Sequence, residues 1–295
     1  MTDPYGAADG LVRVYPASRA EGSTDASAPR LAPGLVWAHG GGFVAGDLDM
    51  PEADWVARSL AGRGVTVVSV DYRLVGDGGG RYPAPSDDVL AAWHWTLFNA
   101  DELGIDPART AIGGASAGAN LVTGAVLRLL GHEPSTTASM LPAGVFLAYP
   151  TLLAVQPAPD AALRALLDAN PIADRFGPAN VRAMYEEYLG GPVDDAPLAA
   201  VPGRAVASDL AGFPPVLMIN DESDELRVSG EVFAATLLEA GVPLELATEP
   251  GTEHGHLNRP DEPAASDSIE RVVRWIDRLP IHHQTTLRTT EGISS

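Results

Sequence analysis

Apolar runs that are typical of buried β-strands alternate with helical patterns along most of this chain, and the alternation predicts a sheet covered by helices on both faces. The run over residues 65–70 (VTVVSV) is the clearest, because its β-branched residues lack polar alternation and so favour a strand buried on both sides. Residues 11–15 form another run and are predicted to be an edge strand. Comparable runs cover residues 35–39, 110–113, 145–149, 216–220 and 244–248. The sequence therefore predicts an α/β fold with a mostly parallel central sheet.

The alternation stops between Pro150 and about Pro214, where short helical patterns stand among many prolines. We expect a helical cap here, inserted between two parts of an α/β core. The expected division is a core in residues 1–150 and 213–280, a cap in residues 151–212 and a disordered tail in residues 281–295.

The composition narrows the class of protein. A hydrophobic share of 45% over 295 residues is ample for a packed core. The formal net charge of −20 repels phosphate backbones, so we expect no nucleic-acid partner. No apolar run approaches the ~20 residues of a membrane-spanning helix, and the first residues lack the basic and apolar regions of a signal peptide. We therefore expect a soluble, cytoplasmic protein, with monomer and homodimer both left open.

Cysteine and lysine are both absent, and all 19 residues in the Lys and Arg count are arginines. The lack of cysteine excludes disulfides, thiolate nucleophiles and cysteine-bound zinc. The lack of lysine excludes Schiff-base chemistry, attachment of pyridoxal phosphate, P-loop binding of phosphate and a Ser-Lys amidase. Few candidate nucleophiles remain.

Two glycine-rich turns directly follow predicted strands: HGGGF at residues 39–43 and GASAG at residues 114–118. The second is a Gly-x-Ser-x-Gly pattern, in which small flanking residues permit a sharp turn from strand to helix that presents the Ser116 hydroxyl. In the first, consecutive glycines leave backbone N–H groups uncovered, so these groups can point at an oxygen that gains negative charge. Together the turns predict the nucleophile and the oxyanion site of a serine hydrolase.

A serine hydroxyl is a poor nucleophile at neutral pH, and it needs a histidine base that an acid orients. One loop after a predicted strand offers Asp221 and Asp224 as acids. A later loop, also after a strand, offers His254 and His256 as bases. Both loops fall at the sheet edge where open α/β folds place their sites, and the order serine, acid, histidine is that of α/β-hydrolases.

Over roughly residues 35–279 the sequence resembles the hormone-sensitive lipase-like branch of the α/β-hydrolases, also called bacterial family IV esterases. Five motifs in register carry the resemblance, namely HGGG at 39–42, DYRL at 71–74, SAGAN at 116–120, DELR at 224–227 and HG at 254–255. The resemblance implies an α/β-hydrolase fold with an inserted cap. It also implies hydrolysis of small carboxylic esters, usually with short acyl chains, with no metal and no organic cofactor.

The same motifs imply a role for each matching residue. Ser116 would be the nucleophile, His254 the base and Asp224 the acid, with Asp221 as the rival for the acid. The oxyanion hole would consist of the backbone N–H groups of Gly41, Gly42 and Ala117.

The chain departs from the family pattern at three places. The residue before the serine is usually acidic in this branch, and here it is Ala115. Residues 75–80 (VGDGGG) intervene after DYRL, and Val228-Ser229 replace the usual Asp-Glu after the acid loop. These departures leave the reaction unchanged and the substrate open.

Two other functions share much of this pattern. Arylformamidases resemble the family and have a His-Gly-Gly turn and a Gly-x-Ser-x-Gly turn, so an amidase is the alternative enzyme. A small-ligand receptor on the same fold, as in plant gibberellin receptors, would be expected to lack a member of the triad, whereas Ser116, Asp224 and His254 are all present. A metal site in the acidic loop at residues 221–225 is disfavoured, because no histidine spacing accompanies it.

Overall fold

The computed structural model describes residues 3–18, 31–76, 79–131 and 140–280, so the predicted tail at residues 281–295 lies outside the described residues. Within them the strands are β1 (Tyr5–Ala7), β2 (Val12–Tyr15), β3 (Ala32–Ala38), β4 (Thr66–Val70), β5 (Ile105–Ala115), β6 (Val145–Ala148), β7 (Val216–Ser223) and β8 (Leu244–Glu253). These eight strands form one sheet in the order β1-β2-β4-β3-β5-β6-β7-β8.

Every pairing from β4 through β3 to β8 is parallel, whereas β2 runs antiparallel to both of its neighbours. The predicted mostly parallel sheet is therefore confirmed. The predicted edge position of residues 11–15 is wrong, because Tyr5 and Ala7 of β1 pair with Val14 and Val12 of β2. The sequence of β1, Tyr-Gly-Ala, is too short and too weakly apolar to stand out as a strand.

Helices cover both faces of the sheet, as predicted. They are α1 (Pro51–Ala61), α2 (Ala84–Phe98), α3 (Ala100–Leu103), α4 (Ala117–Leu129), α5 (Ala161–Ala169), α6 (Pro178–Leu189), α7 (Arg227–Glu239) and α8 (Pro263–Arg278). Buried residues of α1 and α8 share one hydrophobic cluster, and those of α2, α4 and α7 share another. None of these helices combines the length and the apolar composition required to span a bilayer.

Strand β3 shows why the sheet needs both layers of helices. Its residues Leu35 and Trp37 belong to the cluster with α1 and α8, whereas Val36 and Ala38 belong to the cluster with α2 and α4. Successive side chains on a strand point to opposite faces, so a continuous apolar run is buried only when both faces are covered. All four side chains are completely buried.

Helix α2 begins earlier than the sequence suggests. Ser86 is predicted to cap a helix that starts there, whereas the structure starts the helix at Ala84. The fixed φ of Pro85 suits a first helical turn, so the helix begins upstream of the serine. The buried Ser86 hydroxyl instead accepts a hydrogen bond of 2.8 Å from Arg128 on α4.

Helices α5 and α6 lie between β6 and β7, in the segment predicted to form the cap. Helix α6 is joined to the core through Tyr185, which accepts a hydrogen bond from Asn120 of α4 (2.8 Å) and donates one to the carbonyl of Thr151 (2.9 Å). Tyr188 stacks on Phe43 of the HGGGF turn at 4.0 Å between ring centroids. This packing holds α6 against the glycine turn; the division into core and cap stays a prediction.

Candidate active site

Ser116 stands at a sharp turn between β5 and α4. Its φ of 51° and ψ of −114° form a conformation that residues other than glycine rarely adopt. The flanking glycines allow the turn: a Cβ at Gly114 would lie 2.4 Å from the Gly118 carbonyl carbon, and one at Gly118 would lie 2.2 Å from the Ala38 carbonyl oxygen. Since no side chain fits in either place, the Gly-x-Ser-x-Gly sequence is required for α4 to pack this closely on the sheet.

The structure brings Ser116, His254 and Asp224 into one chain of hydrogen bonds. His254 Nε2 lies 2.9 Å from Ser116 Oγ, and His254 Nδ1 lies 2.7 Å from Asp224 Oδ2. The backbone N–H of Leu226 donates to the other Asp224 oxygen at 3.0 Å. Asp224 is completely buried, and the His254 side chain is only 10% exposed. This geometry lets the imidazole accept the serine proton while the carboxylate fixes its orientation.

The surroundings of His254 set its basicity. Burial lowers the pKa of the imidazole, but the charge and the hydrogen bond of Asp224, together with the charges of Asp221 and Glu52, raise it above its ordinary value overall. An oriented carboxylate stabilises the imidazolium that forms when serine gives up its proton. The neighbouring carboxylates therefore make His254 a stronger proton acceptor than an isolated imidazole.

The other two candidates, Asp221 and His256, form their hydrogen bonds with groups other than Ser116. They are hydrogen-bonded to each other, and His256 Nε2 lies 2.8 Å from the hydroxyl of Ser268 on α8. All three side chains are completely buried. Asp221 also accepts hydrogen bonds from Thr252 (3.0 Å) and from the Gly255 N–H (2.8 Å). The pair thus holds the loop that carries His254.

The glycines of the HGGGF turn adopt backbone conformations that favour glycine. Gly41 has φ of 124° and Gly42 has φ of 60°, and a Cβ at Gly41 would lie 1.9 Å from the carbonyl oxygen of Ala45. In the described part of the chain, the N–H groups of Gly41, Gly42 and Ala117 donate no hydrogen bond to another residue. Uncommitted N–H groups beside a nucleophile are suited to hold an oxyanion.

Tyr72 of the DYRL segment packs against the HGGGF turn and is hydrogen-bonded to it. Its hydroxyl donates to the carbonyl of His39 at 2.8 Å, and its ring stacks on the His39 ring with centroids 4.5 Å apart. Burial, followed by the charges of Glu52 and Asp71, raises the pKa of Tyr72, so the phenol stays protonated and can donate. His39 itself is buried and contacts the Gly40 carbonyl through Nδ1 at 2.7 Å, so it helps to hold the turn.

Residues of the segment between β6 and β7 approach the site. Met184 on α6 would lie 3.4 Å from a Cβ at Gly42, so its sulfur stands over the glycine turn. The ring of Phe176 meets the His254 ring edge-on at 4.6 Å between centroids, and Arg175 donates to the His254 carbonyl at 3.3 Å. Sequence reasoning missed these residues, because no local pattern distinguishes them from ordinary helix and loop residues.

Glu52 is another residue that sequence reasoning missed. It lies in the first turn of α1, a common place for an acidic residue, yet only 1% of it is exposed. Its carboxylate reaches the HGGGF turn through the Gly40 N–H. Ala115, which stands where the family usually has an acid, is buried as well.

Among the described residues, one group of three has the composition of a metal site, namely Asp221, Asp224 and His254. The ligand atoms of this group are already engaged, because His254 Nδ1 bonds to Asp224 and Asp221 bonds to His256. A metal ion held by these atoms would compete with these hydrogen bonds. These two pairs account for the close approach of the three groups without a metal ion.

Comparisons with known proteins assign the chain to a family. A sequence profile described as the alpha/beta hydrolase fold matches residues 35–258. The chain is 40% identical over 254 residues to carboxylesterase NlhH of Mycobacterium tuberculosis, which covers 83% of this chain and 73% of the relative. The chain belongs to the hormone-sensitive lipase-like esterases of the α/β-hydrolase superfamily.

Two further similarities support this family assignment. Ethyl acetate hydrolase of Pseudomonas putida is 35% identical over 258 residues, which covers 84% of this chain and 73% of the relative. The structure of a bacterial heroin esterase superimposes with a TM-score of 0.72 at 31% identity and covers 92% of this chain and 80% of that one. The predicted family and fold are thereby confirmed.

Proposed function

We propose that this esterase hydrolyses small carboxylic esters with short acyl chains through Ser116, His254 and Asp224. The observation that carries the proposal is the pair of contacts that His254 makes, 2.9 Å to the Ser116 hydroxyl and 2.7 Å to the Asp224 carboxylate. A nucleophile, a base and an orienting acid at these distances are the arrangement that acyl transfer to serine requires. Relatives named as a carboxylesterase and an ethyl acetate hydrolase support the choice of ester.

The proposed reaction begins when His254 Nε2 takes the proton of Ser116 Oγ as this oxygen attacks the ester carbonyl. The carbonyl oxygen gains negative charge and accepts hydrogen bonds from the N–H groups of Gly41, Gly42 and Ala117. His254 then gives its proton to the leaving alcohol, which leaves an acyl group on Ser116. A water molecule activated by His254 attacks this acyl group and releases the acid.

The preference for short acyl chains rests on the side chains that crowd the nucleophile. Met184 stands over Gly42, and Phe176 covers one side of His254. Both residues lie between β6 and β7, so the proposed cap limits the room for the substrate. An acyl chain that extends over Gly42 would have to displace the Met184 sulfur.

Replacement of the nucleophile tests the proposal. Ser116→Ala should abolish hydrolysis of a short-chain aryl ester and covalent labelling by a fluorophosphonate, with an unchanged circular dichroism spectrum. Ser208→Ala, at an exposed serine between α6 and β7, is the matched control and should behave as the wild type. Hydrolysis by Ser116→Ala at the wild-type rate would contradict the proposal.

Turnover of substrates with different scissile bonds distinguishes the proposed esterase from the amidase alternative. We expect faster turnover of an aryl acetate than of the matched aryl formamide, and the reverse order would favour the amidase. The receptor alternative expects no covalent labelling of the wild type by the fluorophosphonate.

A further inference from the structure

Glu52 is a buried carboxylate that contacts three separate parts of the site. It accepts hydrogen bonds from the Gly40 N–H and the Tyr149 hydroxyl, and a third, of 3.0 Å, from Asn258 Nδ2. Asn258 in turn accepts one from the Glu52 N–H at 3.2 Å. A buried carboxylate is stable only when it is fully hydrogen-bonded, and these contacts engage both of its oxygens.

The partners of Glu52 belong to the elements that hold the reacting groups. Gly40 directly precedes Gly41, one of the proposed oxyanion donors. The Tyr149 ring meets the His254 ring edge-on at 5.1 Å between centroids. Asn258 closes the short helical turn that follows His254. The carboxylate therefore ties the glycine turn, the end of β6 and the histidine loop to α1.

The carboxylate also lies close to the nucleophile. A Cβ at Gly40 would be 2.7 Å from Glu52 Oε1 and 3.1 Å from the Cβ of Ser116, so both side chains lie close to this glycine. Only 1% of Glu52 is exposed to solvent. The negative charge of Glu52 is therefore weakly screened at the site.

We propose that Glu52 is a positioning residue for the esterase reaction: it holds the Gly40–Gly42 turn in its oxyanion-binding conformation, and its negative charge is held by Tyr149, whose ring packs on His254. The inference rests on the proposed function, because it assumes that Ser116 and His254 carry out the reaction.

The charges around His254 determine what the loss of Glu52 should do. The charges of Asp224 and Asp221, at the end of β7, and of Glu52, on α1, act on the imidazole. Tyr149 packs on its ring, and Arg175 donates to its carbonyl. Burial, followed by the charges of Glu52 and Asp221, raises the pKa of Tyr149 well above its ordinary value, so this phenol is neutral and donates to Glu52. Removing the Glu52 charge should therefore lower the pKa of His254.

Glu52→Gln tests the proposal, because the amide keeps the shape of the side chain and loses the charge. We expect kcat to fall about 10- to 100-fold with KM within about twofold of the wild type, since a misplaced oxyanion turn affects the transition state more than substrate binding. We also expect the acid limb of the kcat/KM profile to move to lower pH. A merely structural role would not move this limb.

Asp54→Asn is the matched control on the same helix. The Asp54 carboxylate bonds to Tyr15 (2.9 Å) and Arg58 (2.7 Å) and makes no contact with the site residues named above. This variant should keep the wild-type kcat and pH profile. A Glu52→Gln enzyme with wild-type kcat and an unmoved acid limb would overturn the proposal.

Glu52→Asp separates the effect of the hydrogen bonds of Glu52 from the effect of its charge. It also tests the proposal if the Glu52→Gln variant does not fold. Its carboxylate keeps the charge but is one methylene too short to reach Gly40 and Tyr149 together, so kcat should fall while the acid limb stays in place. Wild-type kcat in this variant would overturn the positioning role. If the wild type itself reacts with neither ester nor fluorophosphonate, the proposed function fails instead.

Discussion

The carboxylate of Asp221 is hydrogen-bonded to the imidazole of His256, and both side chains are completely buried. The same carboxylate accepts the Gly255 N–H at 2.8 Å, so it fixes the backbone between the two histidines of this loop. His254 is thereby left to pair with Asp224. The two candidate acids and the two candidate histidines thus form two separate pairs.

The two acids should respond differently to removal of their charge. Asp224→Asn should lower kcat by about 10⁴-fold, because the amide no longer holds the correct tautomer of His254. Asp221→Asn should keep kcat within about tenfold and lower the free energy of unfolding by about 1–3 kcal/mol, because buried donors lose their acceptor. Ester kinetics and urea unfolding measure the two effects. A larger loss of kcat in Asp221→Asn would show that the roles are reversed.

Activity should rise with pH. His254 must be neutral to accept the serine proton, and its neighbouring carboxylates raise its pKa above the ordinary value of ~6.5. The kcat/KM profile should therefore have an acid limb with a midpoint above pH ~6.5 and a plateau at alkaline pH. A full-rate plateau already present at pH ~5 contradicts this expectation.

The glycine turn should not tolerate a side chain. Gly41→Ala places a Cβ 1.9 Å from the Ala45 carbonyl oxygen and demands a φ that alanine avoids, so the turn must move. If the Gly41 N–H is an oxyanion donor as proposed, kcat should fall about 10²- to 10³-fold. Gly191→Ala, where a Cβ meets open space, is the control and should retain full activity. Steady-state kinetics on one aryl ester suffices for both variants.

Met184 should limit the length of the acyl chain. Met184→Ala removes the side chain that stands over Gly42, so kcat/KM for a hexanoate relative to an acetate should rise about tenfold. A panel of p-nitrophenyl esters from acetate to decanoate measures the change. Leu238→Ala, at an exposed position on α7, should leave the acyl preference unchanged. If Met184→Ala keeps the wild-type acyl preference, another part of the pocket must limit the length of the acyl chain.

Much of the fold was predictable because its signals are local. The continuous apolar run of β4 and the turns at Gly114 and Gly118 depend on residues that are adjacent in the chain. Where the signal was weak or ambiguous, prediction was wrong. Strand β1 has only three residues, so β2 was predicted to be an edge strand. Ser86 resembles an N-cap, so α2 was predicted to begin there, whereas it begins before Pro85.

The sequence by itself determined the kind of chemistry, since glycine turns, a serine, two acids and two histidines in a fixed order are written in the chain. Only the tertiary structure determined which of these residues contact one another. Asp221 and His256 are 35 residues apart, and Glu52 and Asn258 are 206 apart, so their contacts arise when the sheet brings its loops to one edge. The burial of Glu52 against Gly40 follows from how α1 packs on that edge, and no local sequence pattern predicts such packing.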